Sequence, residues 1–266
     1  MQTGKLLGGL VAATLLLTVP VCGAARPVAT QVDGTLLSAV SYLQEGVTYA
    51  PLRALLDRLG DWTVVWADGA AVATDGKRRL VARVGADSLT VDGAKRSCPP
   101  IFLRDGRTYV PLRAVTEAVG AQVAWDGYLD GAAVTTADFA AANGCSASDF
   151  YWMARIISAE SQGEPLEGQI AVGNVVENRV ASQDFPATIP AVIFERTERV
   201  QFEPVANGRV FDPPVALSIE AAKRVLAGEE TVSDCLYFYA PALSPGTWIN
   251  ENRSYEKTIG CHRFYR

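Results

Sequence analysis

The chain has 266 residues, 24 basic against 29 acidic side chains, a formal net charge of −5, and one histidine. Its length suits one or two domains, and its acidic balance argues against nucleic acid as a partner, since phosphate neutralisation needs a basic surface. One imidazole is too few for a copper centre or a histidine-based zinc site, so no metal and no cofactor is expected.

The N-terminus reads as a leader. Lys5 is followed by LLGGLVAATLLLTVPV and then CGAARP. A basic residue, a short apolar core and small residues make a secretory signal peptide over residues 1–24, cut after Ala24 or Ala25. The alternative is a retained anchor, for which the apolar run is short. Lipidation at Cys22 is disfavoured because Val21 is larger than a lipoprotein signal usually tolerates. The expected product is secreted, with 23 basic and 29 acidic residues. It keeps Cys98, Cys145, Cys235 and Cys261. An even number of cysteines in an exported chain invites disulfides. Grouping by domain favours Cys235–Cys261 and Cys98–Cys145, with four reduced thiols as the alternative.

An internal repeat fills the first half. VDGTLLSAVSYLQEGVTYAPLRALLDRLG starts at Val32, and VDGAKRSCPPIFLRDGRTYVPLRAVTEAVG starts at Val91. Each is followed by a strand-like run ending in Trp66 or Trp125, then by GAAVAT or GAAVTT. Each unit reads as short strands, a helix opened by Pro-Leu-Arg-Ala and closed by Gly60 or Gly120, and a hairpin. Two such α+β units pack as one domain over residues 31–136. Arg53 and Arg113 are expected to pair with Asp57 and Glu117, one helical turn on. The motifs GVTYAPLRA and GRTYVPLRA resemble the copper amine oxidase N-terminal-like domain of exported bacterial proteins. That resemblance implies a non-catalytic module, with a wall or protein partner for the repeats. Residues 137–147, ADFAAANGCSA, read as a linker.

The remaining residues, 148–266, are enough for a second core. They read as mainly helical with a small β element, which makes the whole chain α+β. Ser148 is placed to cap the first helix. Along it Met153, Ile156, Ile157 and Glu160 fall at i, i+3, i+4 and i+7, so an acid closes an apolar stripe just before Gly-Glu-Pro. The next helix starts at Pro165, with Val172, Val175, Val176 and Val180 as its apolar face. Residues 200–214 read as a loop, residues 218–230 as a helix closed at Gly228, and CLYFYAP and YEKTIGCHRFYR as extended. A carboxyl ending such a stripe loses hydration that its charged form needs, so its pKa should rise toward neutrality. A proton donor of that kind serves glycosidic cleavage, where the leaving oxygen must be protonated. The alternative is a plain cap or an ion pair with Arg155 or Arg179.

The segment is similar to the cell wall hydrolases of the spore cortex-lytic, SleB-like type. The similarity is carried by ARIISAESQGEPLEGQIAVGNVVENRV, FPATIPAVIF, QFEPVANGRV and YFYAP…TWI…KTIGCHRFY. It implies a lysozyme/lytic-transglycosylase-like fold, peptidoglycan of vegetative wall or spore cortex as substrate, and Glu160 as the catalytic acid. It further implies cleavage between N-acetylmuramic acid and N-acetylglucosamine, with Glu160 as acid and then base and a 1,6-anhydro ring as product. A second carboxylate for hydrolysis would come from Glu164, Glu203 or Asp212; Glu177 is not inherited from the family pattern. Gln201, Phe202, Asn207, Tyr237, Tyr239 and Trp248 are the candidates to hold saccharide. Alternation puts Tyr237 and Tyr239 on one strand face and Phe238 on the other. Ala240 departs from the family's asparagine. Other readings are a cysteine peptidase using Cys235 with His262, since the adjacent Cys261 and His262 point to opposite sides of a strand, and a non-catalytic peptidoglycan-binding or spore-coat protein; a zinc amidase has too few ligands with one histidine.

Overall fold

The computed structural model describes residues 24–196 and 200–266; of the leader reading, residues 1–23 lie outside the described residues. After β1 (Arg26–Val32), the first repeat comprises β2 (Thr35–Leu36), β3 (Ser41–Gln44), β4 (Val47–Pro51), α1 (Leu52–Leu59), β5 (Thr63–Ala67) and β6 (Ala70–Thr74). Strand β7 (Arg79–Arg83) leads into the second: β8 (Ser88–Val91), β9 (Ala94–Ser97), β10 (Phe102–Arg104), β11 (Arg107–Pro111), α2 (Leu112–Ala118), β12 (Gln122–Asp126) and β13 (Gly131–Thr135).

The repeats meet through a register that the sequence duplication explains. Strands β4 and β11 pair antiparallel with Ala50 opposite Val110, Tyr49 opposite Pro111 and Pro51 opposite Tyr109. Ala50 and Val110 hold the same place in the two units, so the pairing is a pseudo-two-fold interface, each copy offering the same surface. The aromatic contacts obey the same symmetry: Tyr49 packs on Phe102 at 5.0 Å and Tyr109 on Tyr42 at 5.5 Å. The strand before each pairing strand enters through a tight turn, Glu45-Gly46 and Asp105-Gly106, with positive φ at both positions (50° and 77°, 49° and 70°). A two-residue turn of that hand matches strand twist, and glycine takes it without a Cβ penalty. Leu52, Leu55, Leu56 and Leu112 from the two helices are buried with Leu80, Leu89 and Val110 in one core.

Residues 137–147, read as a linker, carry a helix of their own, α3 (Ala137–Asn143), because Thr136 caps it by accepting from the Phe139 N–H at 3.2 Å. Beyond it lie α4 (Ala147–Ser161), α5 (Leu166–Ala181), α6 (Ile189–Ile193), α7 (Glu203–Asn207) and α8 (Ala216–Leu226). The C-terminal part holds β14 (Tyr237–Tyr239), α9 (Thr247–Asn252), β15 (Tyr255–Ile259) and β16 (His262–Tyr265). Helices α4, α5 and α8 pack on one another. Gly173 lets them close up, since a Cβ there would lie 2.7 Å from Val225 and 2.9 Å from Ile157. Helix α5 is buried on two sides rather than along one stripe. Ile170 and Val176 join the α4 core, while Val172 and Val175 face Phe264 and Ile259 of the antiparallel sheet β14-β16-β15.

The two halves are joined by a polar pin. Asp126, at the end of β12, is buried and accepts from the N–H groups of Tyr128 and Leu129 (3.0 Å each), the Ser148 hydroxyl (2.6 Å) and the Trp152 indole (2.8 Å). This corrects the cap assignment: Ser146 caps α4, accepting from the Asp149 N–H at 3.1 Å, and Ser148 is spent on Asp126. Tyr128 of the repeat half stacks on Phe194 at 4.5 Å, and Phe139 of α3 packs edge-on against Phe150 at 5.4 Å, so both the repeats and the segment after them contribute aromatic surface to the helical half. Among the described residues no helix is long and apolar enough to cross a membrane.

Candidate active site

Glu160 sits in the last turn of α4, after Met153, Ile156 and Ile157, which are fully buried. Burial pushes its carboxyl up to about 7, and the negative charge of Glu203 adds to the rise, while Arg209 and Arg179 oppose it. The carboxyl also lies at the negative end of the helix dipole, which disfavours a second negative charge. At neutral pH the group is therefore close to half protonated.

Arg179, in the last turn of α5, is with Arg209 one of the two cations that act on Glu160. Its Nε donates to the Leu236 carbonyl at 2.8 Å, and its guanidinium lies 4.9 Å, 5.1 Å and 5.7 Å from the ring centroids of Phe185, Phe202 and Tyr237. Burial brings its pKa down to about 10, held there by Tyr237, Glu195 and Glu160, so it stays charged at neutral pH. One Arg179 Nη and one Glu195 carboxylate oxygen are buried without a hydrogen-bond partner. Buried polar atoms are normally satisfied; an unpartnered donor on Arg179 and an unpartnered acceptor on Glu195, whose charge acts on Arg179, are what a polar ligand would fill.

The expected saccharide contacts divide. Tyr237 borders Arg179, and its hydroxyl accepts from Arg253 at 2.9 Å. Trp248 is 54% exposed, 5.8 Å from the Tyr237 ring, with Arg253 lying over both rings at 5.1 Å and 4.5 Å. These two form an aromatic face reached from Glu160 through Arg179. Phe202 is buried and walls Arg179, so it is a packing residue and not a surface one. Gln201 and Asn207 are exposed on either flank of α7; Asn207 accepts from the Arg209 N–H at 3.0 Å, which fixes the turn carrying Arg209. Tyr239 shares the Tyr237 face but serves α9, bonding Asn250 at 2.9 Å and 3.1 Å, while Phe238 turns inward onto Phe264. The expected loop at 200–214 holds α7 and a 3-10 turn, Arg209–Phe211, and α9 stands where no helix was expected.

Of the candidate second carboxylates, Glu203 is the one whose charge reaches Glu160. Glu164 accepts from the Cys261 N–H at 2.8 Å and fastens the β15–β16 turn to the start of α5. Glu177 is half-buried near Asp149 and Cys145, away from this cluster. Asp212 follows the 3-10 turn, its N–H donating to the Arg209 carbonyl at 3.1 Å.

The four cysteines of the described residues are free, so neither expected disulfide forms. Cys235 is buried beside Val172 and Phe264 whereas Cys261 is exposed on the β15–β16 turn, and Cys98 belongs to the repeat core whereas Cys145 packs with the helical one. Burial pushes the Cys235 thiol up to about 11, the wrong direction for a nucleophilic thiolate. Arg155 lies over the Tyr151 ring at 3.5 Å, so of the two arginines weighed as partners of Glu160 it is Arg179 whose charge reaches the acid, together with Arg209. Arg53 donates to the Val64 carbonyl at 3.1 Å, whereas Arg113 does reach Glu117 at 3.5 Å. Glu195 and Arg209 were missed by sequence reasoning; Arg209 lies inside QFEPVANGRV, and its charge within an otherwise neutral turn was the available signal.

The candidate site is thus a single carboxyl raised toward neutrality by burial at a helix end, flanked by arginines and an aromatic face, on a mainly helical domain. Comparison with known proteins gives that domain its family. Residues 163–265 match the family described as Cell Wall Hydrolase, and residues 31–130 match the Copper amine oxidase N-terminal domain. The spore cortex-lytic enzyme of Bacillus cereus is 37% identical over 122 residues, 46% of this chain and 46% of the relative. That of Bacillus subtilis is 35% identical over 130 residues, 48% of this chain and 41% of the relative. The catalytic domain of the germination-specific lytic transglycosylase SleB from Bacillus anthracis is 36% identical, covering 47% of this chain and 98% of that one, with a TM-score of 0.43. The chain spans about half the length of the curated relatives it matches. The chain therefore carries a cell wall hydrolase domain in its C-terminal half, similar to these spore cortex-lytic enzymes, and a copper amine oxidase N-terminal domain ahead of it.

Proposed function

We propose that this protein is an exported peptidoglycan-degrading enzyme that cleaves the β-1,4 bond between N-acetylmuramic acid and N-acetylglucosamine, acting as a lytic transglycosylase with Glu160 as acid and base. The observation that carries the reading is the position of Glu160 in the last turn of the buried helix α4, where loss of water raises its pKa toward neutrality. The carboxyl is acidic enough to give a proton to the glycosidic oxygen as the bond to C1 of muramic acid breaks, and basic enough to take one back. The proton it then takes is that of the muramic C6 hydroxyl, whose oxygen closes on C1 to give the 1,6-anhydro ring. Proton and electron pair balance without water. Arg179 stabilises the carboxylate between the two steps, and Tyr237 with Trp248 gives the sugar rings a flat apolar face.

Relatives named spore cortex-lytic enzyme and lytic transglycosylase support a cortex substrate and a place outside the cytoplasmic membrane during germination. The second reading, hydrolysis, rests on Glu203, which is the carboxylate nearest in charge to Glu160.

The test is mass spectrometry of fragments released from purified vegetative wall and spore cortex by the protein and by Glu160→Gln. Anhydromuramic ends from the parent alone are the expected result. Reducing ends would transfer the chemistry to hydrolysis. Tight binding without fragments would leave a peptidoglycan-binding protein.

A further inference from the structure

Two grooves on the repeats are related by the pseudo-two-fold axis. The first, about 750 Å³, is lined by Arg53, Asp57 and Trp66 of one repeat and by Leu103, Gly106 and Arg107 of the other. The second, about 570 Å³, is lined by Arg113, Glu117 and Trp125 and by Leu43, Gly46 and Thr48. Each groove thus takes its helix start, its acid one turn on and its indole from one copy, and a hairpin tip from the other. Neither can exist in a single repeat.

Three features suit a ligand. Both tryptophans are large apolar side chains left open, Trp66 55% exposed and Trp125 47%, the latter with Arg26 lying over its ring at 5.8 Å. The fold engages the arginines only lightly: Arg53 gives one donor to a carbonyl, and Arg113 holds a long contact to Glu117. Most of their donors remain for a ligand. The charges also differ. The first groove gathers Arg53, Arg58 and Arg107 against Asp57, in a chain whose net charge is −5, whereas the second balances Arg113 with Glu117.

The geometry points to a pair of saccharide-binding grooves on the repeat domain, the first for a carboxylate-bearing amino sugar and the second for a neutral one. Flat indoles stack on the apolar faces of pyranose rings, guanidinium forks take carboxylates, and Asp57 and Glu117 accept from sugar hydroxyls. A glycan strand alternating lactyl-bearing and neutral sugars has that charge pattern. Its identification as peptidoglycan rests on the substrate reading above; the grooves do not.

The test uses the full mature chain with Glu160→Gln, so that strands stay uncut whatever the chemistry of the other half. Its indoles are 15N-labelled, and the Trp66 and Trp125 signals are assigned through Trp66→Phe and Trp125→Phe. The probes are glycan strands stripped of stem peptides by an amidase, and chitohexaose as a neutral control. Saturable shifts of both indole signals with stripped strands are expected. Arg53→Gln with Arg107→Gln should weaken the strand-dependent shift at Trp66 about tenfold and leave that of chitohexaose unchanged. Indole signals that stay in place while strand binds elsewhere would overturn the proposal. So would shifts that appear only with strands still carrying their peptides, since the ligand would then be the peptide.

Discussion

The repeat half and the helical half divide cavity from chemistry. Two grooves lie in the repeats, with exposed Arg53, Trp66, Arg113 and Trp125 at their walls over a buried floor that includes Leu52 and Leu112. The helical half holds the carboxyl that burial and Glu203 raise to about 7 and an arginine that burial lowers to about 10. A ligand can be held where apolar surface and spare donors are left open; acid–base work needs a charge taken out of water.

The sharpest break of this comparison is at Asp126, which ties the halves together through four accepted hydrogen bonds. Asp126→Ala strands the Trp152 indole and two backbone N–H groups. It should cost roughly 3–5 kcal/mol, as expected when a buried charge-assisted network loses its centre. Calorimetry should then resolve two transitions where the parent shows one. A single transition at an unchanged midpoint would mean that the pin contributes nothing to coupling.

Next in size is the stability carried by Glu160. Its folded pKa lies above the unfolded value of 4.5, so its protonated form is favoured by folding. The corresponding stability is complete below about pH 4.5 and is lost as pH rises through about 7. Glu160→Gln, uncharged throughout, should therefore be more stable than the parent by about 2 kcal/mol at pH 8, after discounting for partial exposure, and nearly equal at pH 4. Urea melts at the two pH values check this; equal differences at both would remove the desolvated acid from the account.

How much of this was legible in the sequence differs between the halves for physical reasons. The repeat announced its own helix starts and turns, because Pro-Leu-Arg-Ala and Asp-Gly are local signals and duplication doubles them. The grooves were not legible, since each is completed by the other copy's hairpin and depends on the register of Ala50 against Val110. The i, i+3, i+4, i+7 stripe placed Glu160 at the end of a buried helix face, and the structure keeps it there. Its partners were out of reach of periodicity: Arg179, Glu195 and Arg209 come from three other segments and converge only when α4, α5 and the 3-10 turn pack. Ser148 misled because a helix-start serine looks the same whether it caps or bonds across to Asp126.

The smallest expected effect separates the two chemistries open to Glu160. Glu203 raises the Glu160 pKa by charge alone, after burial has done most of it. Glu203→Gln should then lower that pKa by less than about one unit. The alkaline limb of the kcat/KM profile on peptidoglycan would move to lower pH by the same amount, because the protonated acid is lost sooner. Activity near pH 5 would stay close to the parent's, since Glu160 is protonated there in both proteins. A second catalytic carboxylate behaves otherwise. If Glu203 positioned water or trapped the sugar cation, its amide would cut the rate at every pH, by about two orders of magnitude or more, and the limb would stay where it was. The shape of one pH profile therefore decides whether the charge beside Glu160 tunes the acid or shares the reaction.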